Sequence, residues 1–272
     1  MKKFTKIIII ILMISIAAGM IFPFLWTVST SLKPKKATLQ YPPELFSEEI
    51  TFENYITIFE KYPFGRFLFN SCFVTLITVI SQIIICSMTA FAFARFNFKF
   101  KNLLFTVFLI TMMIPFQVTA IPLYLIIRSF GWVDTYLGLI LPRLFSAFGI
   151  FLFRQAFMST SREFDESALI DGANYLQVFF KIILPMNKTA IATFSIFSFM
   201  DSWNSYIWPL IVTPNQNMMT LPLGLSALQG RWSTQWNLVS AGAVVSIVPI
   251  LIVYLFAQKK FIGSMSSAGL KG

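Results

Sequence analysis

Carboxylates are scarce in this chain, with 11 Asp and Glu among 272 residues, and the densest group of them is Glu163, Asp165, Glu166 and Asp171. Clustered carboxylates can do acid–base chemistry or hold a metal, but each task needs companions. Histidine is absent, and the two cysteines, Cys72 and Cys86, sit in one apolar run, roughly 21 Å apart along a helix axis. They cannot pair with each other, and no cluster of His, Cys and carboxylate has ligand spacing, which argues against zinc or di-iron. No Gly-Lys dipeptide occurs, so the chain lacks the phosphate-binding loop of an ATPase. If ATP drives this protein, a partner chain hydrolyses it. The acids then read as a docking surface rather than a reaction centre.

Elements must hold those acids in place. Thr160 followed three residues later by Glu163 has the spacing of a capping box, and Gly172 is suited to end the helix because glycine takes the left-handed conformation without a Cβ penalty. Between them Phe164, Ala168 and Ser167 are expected to share a narrow face, with Asp165, Glu166 and Asp171 around it. Tyr175, Phe179 and Ile182 then recur at helical spacing and predict a second helix packed against the rest of the chain.

The chain around this stretch is a membrane protein: 57% of residues are hydrophobic, 12% are charged, and mean hydropathy is +0.75. A net charge of +10 could suggest nucleic acid, but the basic residues sit in the breaks between apolar runs, as loops on the inner side of a membrane do. Six runs emerge, at 7–32, 67–94, 102–127, 135–158, 189–212 and 232–258. The first follows Lys2, Lys3 and Lys6. A cleaved signal peptide is the competing reading there, against which stand the length of the run and the lack of an Ala-x-Ala site. With the N-terminus inside, the start, the inner breaks and the tail together hold 13 of the 21 Lys and Arg, including Arg95, Lys99, Lys101, Arg154 and Arg162, so both ends are expected to be cytoplasmic. Pro115 and Pro122 predict a bend in the third run. The implied organisation is an N-terminal span at 1–32, an external loop at 33–66 with a short helix near 51–60, a core at 67–258 and a basic, Gly/Ser-rich tail at 259–272. The loop at 159–186 joins the fourth and fifth spans.

Arg143 and Asp201 are the two charges expected inside spans, where an ion is a functional-site candidate. They could line a pathway, together with Asn204, or form a structural pair.

The spacing Glu166-Ser167-Ala168, Gly172, Ile182-Ile183-Leu184-Pro185 resembles the "EAA" loop at which membrane subunits of ABC importers meet their ATPases. The resemblance extends to the MalG-like family of carbohydrate importer permeases through Ala90-Phe91-Ala92-Phe93-Ala94-Arg95, Met113-Ile114-Pro115, Pro122-Leu123-Tyr124, Ser202-Trp203-Asn204, Trp208-Pro209-Leu210, Thr220-Leu221-Pro222-Leu223-Gly224-Leu225, and Gly263, Gly269, Lys271 and Gly272 in the tail. It covers roughly residues 67 to 272. It implies an all-α type I importer fold of six transmembrane helices in a bacterial plasma membrane, with a cytoplasmic coupling helix between helices 4 and 5. Glu166, Ser167, Ala168, Asp171, Gly172, Ile182, Leu184 and Pro185 would form the coupling loop. The implied partners are a second permease, two ATPases carrying ATP and Mg, and an external sugar-binding protein, with no cofactor in this chain. Ser167 stands where the motif usually has Ala, Asp201 where the family is usually small, and Ser205 where it is often acidic, so substrate contacts do not carry over. Polyols or glycerol phosphate remain alternatives to a sugar, and an ion-coupled transporter or channel remains the alternative class.

Overall fold

The structure, a computed structural model, describes residues 3–229 and 234–268, with side chains as far as 256. Gly269, Lys271 and Gly272 of the tail motif, and Arg231 and Trp232 before the last span, lie outside the described residues. Among the described residues the regular secondary structure is helical, apart from a single bridge between Gln229 and Thr234.

Three helices are long and apolar enough to cross a membrane without a break: α1 (Lys3–Ser31), α3 (Phe64–Arg95) and α13 (Trp236–Ala268). Three bent pairs supply the rest of six candidate spans. They are α4 (Lys101–Thr111) with α5 (Phe116–Ser129), bent by 100°; α6 (Tyr136–Ile140), extended by a 3₁₀ turn to Arg143, with α7 (Ala147–Met158), bent by 43°; and α9 (Tyr175–Met186) with α10 (Lys188–Trp203), bent by 80°. The remaining helices are α2 (Glu53–Lys61) in the long loop, α8 (Glu163–Ile170), α11 (Ile207–Val212) and α12 (Leu221–Ala227). α1 is apolar on every side and exposes Ile7 to Ile11 and Phe22 to Leu25 within this chain, as a helix facing lipid or another subunit does.

Two expectations need correction. The third run is broken, not merely bent: Pro115 caps α5, while Pro122 is carried inside α5. Pro115 has no N–H to carry α4 onward and disfavours helical backbone in the residue before it, which is why the break falls there. The fifth run is also divided, since α10 stops at Trp203 and α11 starts at Ile207, leaving Asn204 to Tyr206 as a non-helical joint.

The chain forms two compact units, one of residues 1–68 and 221–249 and the other of 69–220 and 250–272. In the first, the loop helix α2 is held by buried Asn54, whose amide donates to the carbonyls of Ser31 and Lys33, both at 2.8 Å, and whose own carbonyl accepts from Asn237 at 2.6 Å. The core of the second is aromatic. Phe91, Phe93, Phe153, Phe157, Phe179 and Phe194 are buried together with Ile150 and Ile183. Small residues let these rings approach: a Cβ placed on Gly149 of α7 would meet the Phe194 ring at 2.6 Å and Cys86 Cβ at 3.2 Å. Gly149→Val therefore forces α7 from α10 and is expected to cost about 1–3 kcal/mol by overpacking. A lowered thermal midpoint of the purified protein checks it; an unchanged midpoint would mean that Phe194 can turn aside.

Candidate functional site

The acidic stretch folds into α8, and one of its acids points inward. Asp165 forms an ion pair with Arg95, the last residue of α3, and both side chains are nearly buried, 10% and 6% exposed. Arg95 also donates to the carbonyl of Thr160 at 3.1 Å, and Arg162 donates to the carbonyl of Ala94 at 3.4 Å. Three polar contacts thus tie the start of α8 to the end of α3. Burial pushes the Asp165 carboxyl up from the ordinary aspartate range, against the pull of the Arg95 and Arg162 charges. A pair held where burial outweighs attraction fixes position more than it adds stability.

The capping box expected from Thr160 and Glu163 is not formed. The Glu163 amide donates to Ser161 Oγ at 3.3 Å, whereas Thr160 Oγ1 accepts from Asn187 Nδ2 at 3.1 Å. The reciprocal box falls one helix later. Asn174 and Gln177 exchange bonds of 2.8 and 2.9 Å at the start of α9. Gly172 does end α8: its φ is +86°, and the amide of Ala173 reaches back to the carbonyl of Ala168 at 2.9 Å, the closing bond of a Schellman turn.

The faces of α8 also differ from expectation. Ala168, grouped with Phe164 and Ser167 from the sequence, turns with Asp165 and Leu169 toward the aromatic core, while Phe164 and Ser167 stay exposed. Glu166, Asp171 and Gly172 are exposed as well, and beside them stands Ile170, 86% exposed, with Tyr175 and Leu176 open on the next helix. Ile170 was missed as a site residue. Its signal was available: it belongs to neither inward position, Asp165 or Leu169, yet it is fully apolar. Exposed Ile170, Tyr175 and Leu176 give this end of the loop apolar side chains beside the exposed acids Glu166 and Asp171, the make-up of a surface suited to a protein partner.

After Gly172 the chain returns to the core. Val178, Phe179 and Ile183 are buried, whereas Ile182 and Leu184 are half-buried and Pro185 is exposed. A π turn over Phe179–Ile183 shifts the helical phase by one residue, which moves the buried position from Ile182 to Ile183. Of the three motif residues Ile182, Leu184 and Pro185, the last alone is exposed.

A second feature lies farther along the same helices. A cavity of about 890 Å³ is lined by residues including Gln82, Arg143, Asp201, Asn204, Ser205 and Trp208. Arg143 and Asp201 form an ion pair, and Arg143 Nη1 donates to Ser205 Oγ at 2.7 Å. The two residues are paired, and both line the cavity. Gln82 of α3 donates to the Arg143 carbonyl at 2.7 Å and accepts from Ser198 at 2.8 Å, so this wall is fixed to α3 and α10. Thirteen residues of unbroken helix, about 20 Å, separate Gln82 from Arg95.

Apolar spans, a cavity holding an ion pair, and one unbroken helix running from that cavity to the exposed acidic loop are the features of a membrane transport subunit. The chain belongs to the binding-protein-dependent transport system inner membrane component family, whose profile matches residues 82–261. Among curated relatives, it is 32% identical to the arabinooligosaccharides transport system permease protein AraQ of Halalkalibacterium halodurans over 255 residues, covering 93% of this chain and 91% of the relative. It is 36% identical to the sn-glycerol-3-phosphate transport system permease protein UgpE of Pectobacterium atrosepticum over 202 residues, covering 74% and 72%. Its fold matches a chain in the crystal structure of a bacterial ABC transporter involved in the import of the acidic polysaccharide alginate, with a TM-score of 0.84, 26% identity and coverage of 94% and 96%. The resemblance to carbohydrate importer permeases and the six-span all-α fold are thereby borne out.

Proposed function

We propose that this chain is the permease subunit through which an ABC importer moves a sugar or oligosaccharide handed over by an external binding protein. Its cavity forms part of the path and α8 is the coupling helix. ATP and Mg belong to two ATPase subunits on the cytoplasmic side, a second permease completes the passage, and both ends of this chain are cytoplasmic. No step of the work done by this chain makes or breaks a covalent bond.

The observation that carries the coupling role is the continuity of α3. At its end Arg95 grips Asp165 of the coupling helix, and farther back along the same helix Gln82 holds the carbonyl of Arg143 in the cavity wall. An ATPase that moves α8 as a rigid body moves the end of α3 with it, because a buried ion pair and two backbone bonds must otherwise break. The displacement reaches the cavity wall through a helix without a proline or a break. Carbohydrate as cargo is supported by the relatives named for arabinooligosaccharides and alginate, while the relative named for glycerol phosphate supports the alternative cargo.

The test is uptake of labelled sugar into proteoliposomes holding the complete transporter and its binding protein. Uptake is expected to require ATP and to vanish when the ATPase subunits are omitted. Uptake that persists without ATP and follows a proton or sodium gradient would overturn the proposal.

A further inference from the structure

We infer that the cavity accepts uncharged carbohydrate and disfavours anionic cargo, because the Arg143–Asp201 pair cancels its charge. The inference rests on the reading of this cavity as the sugar path. Arg143 and Asp201 are the charged residues of the cavity lining, one of each sign. Both terminal nitrogens of Arg143 are committed, Nη2 to Asp201 and Nη1 to Ser205, and its carbonyl is pinned by Gln82. The guanidinium cannot swing toward a cargo without abandoning these partners.

A phosphate or uronate entering the cavity finds the cation already answered. It also meets the carboxylate of Asp201, whose side chain is 72% exposed whereas that of Arg143 is 20% exposed. Like charges repel, and an anion that finds the one cation of the lining already paired has no counter-charge to meet it. An uncharged sugar meets neither penalty. The rest of the lining suits it: Thr111, Thr119, Asn204 and Tyr206 bring hydroxyl and amide groups, and Phe116 and Phe145 bring ring surface. A few polar groups set among apolar walls, in a volume within the roughly 300–1,000 Å³ of ligand sites, is the make-up of a small-molecule pocket. The relatives differ on this point of chemistry, since glycerol phosphate and acidic alginate are anions and arabinooligosaccharides are not. The charge balance here places this chain with the uncharged class.

The experiment uses the complete purified transporter with the binding protein left out, so that probes reach the cavity unselected. Labelled arabinotriose and trigalacturonate serve as uncharged and anionic probes in equilibrium dialysis. The wild type is expected to favour arabinotriose at least about tenfold. Asp201→Asn, which is isosteric and frees Arg143, is expected to lower that ratio by about tenfold or more by gaining affinity for trigalacturonate. Arg143→Asp combined with Asp201→Arg is expected to return the ratio toward the wild type. A wild type that binds trigalacturonate as tightly as arabinotriose, or that retains neither probe, overturns the inference, as does an Asp201→Asn ratio that does not change. ATP-driven sugar import by the same preparation, with the cognate binding protein restored, tells separately whether the reading of the chain as a carbohydrate permease stands.

Discussion

With Asp165 replaced by Asn, the assembled transporter is expected to go on hydrolysing ATP while importing at least about tenfold less sugar per ATP. Removing one partner of a buried ion pair leaves the other charge without its mate. Arg95 is that other charge, with its side chain 6% exposed at the end of α3. The change loosens the joint between α8 and α3, whereas the exposed face of α8, proposed above to meet the ATPase, keeps its side chains. Arg95→Gln breaks the same joint from the other side and is expected to give the same phenotype. Asp165→Glu retains the charge and should recover a large part of coupling. Sugar imported and phosphate released are measured together, with the ATPase that co-purifies measured alongside. An unchanged ratio of sugar to ATP in both Asp165→Asn and Arg95→Gln would show that the stroke travels by another route.

Acid gives an independent handle on the same joint. Burial raises the Asp165 carboxyl above the ordinary aspartate value, so the folded chain holds this proton over a range of pH in which the unfolded chain has lost it. Within that window the folded state binds more protons, and this group's contribution to stability rises as pH falls. Protonation nonetheless dissolves the ion pair. Coupling is therefore expected to fail on acidification before this residue contributes to any unfolding, and the Asp165→Asn protein should lack that part of the pH dependence.

The inward turn of Asp165 shows where reading the sequence stops. The loop itself was legible because its parts are local: Glu166, Gly172 and Pro185 act through backbone conformation and spacing, and Gly172 does adopt the positive φ that the motif needs. Asp165, Ala168 and Leu169 follow the i, i+3, i+4 pattern of an inward face, but an acid at the first position breaks the rule that charge faces out. Its partner is 70 positions earlier, and no local pattern links them. The capping box failed for a related reason. Thr160 has the right spacing to Glu163 but is already engaged by Asn187, a residue 27 positions on. The spans were legible as runs of apolar residues, because the membrane imposes length and hydropathy. Their breaks were legible only at Pro115. The joint at Asn204 to Tyr206 and the π turn at Phe179–Ile183 arise from packing between helices, and composition carries no mark of them.

Ile170→Asp is expected to weaken ATPase binding about tenfold to a hundredfold while leaving the permease folded. Ile170 is 86% exposed, so losing its side chain costs the isolated chain little, and the effect must come from a surface that is covered only in the complex. An apolar residue at the centre of an interface can account for 2 kcal/mol or more, about 30-fold in affinity. Glu166→Lys, which reverses an exposed charge beside it, should act mainly through the rate of association and lose its effect as salt is raised. The two variants therefore separate contact from steering. Pull-down of the ATPase subunits by the permease, with association and dissociation rates measured at low and high salt, distinguishes them. Should Ile170→Asp retain full ATPase assembly and import, the docking face would have to lie elsewhere on the loop, with exposed Tyr175 and Leu176 as the next surface to alter.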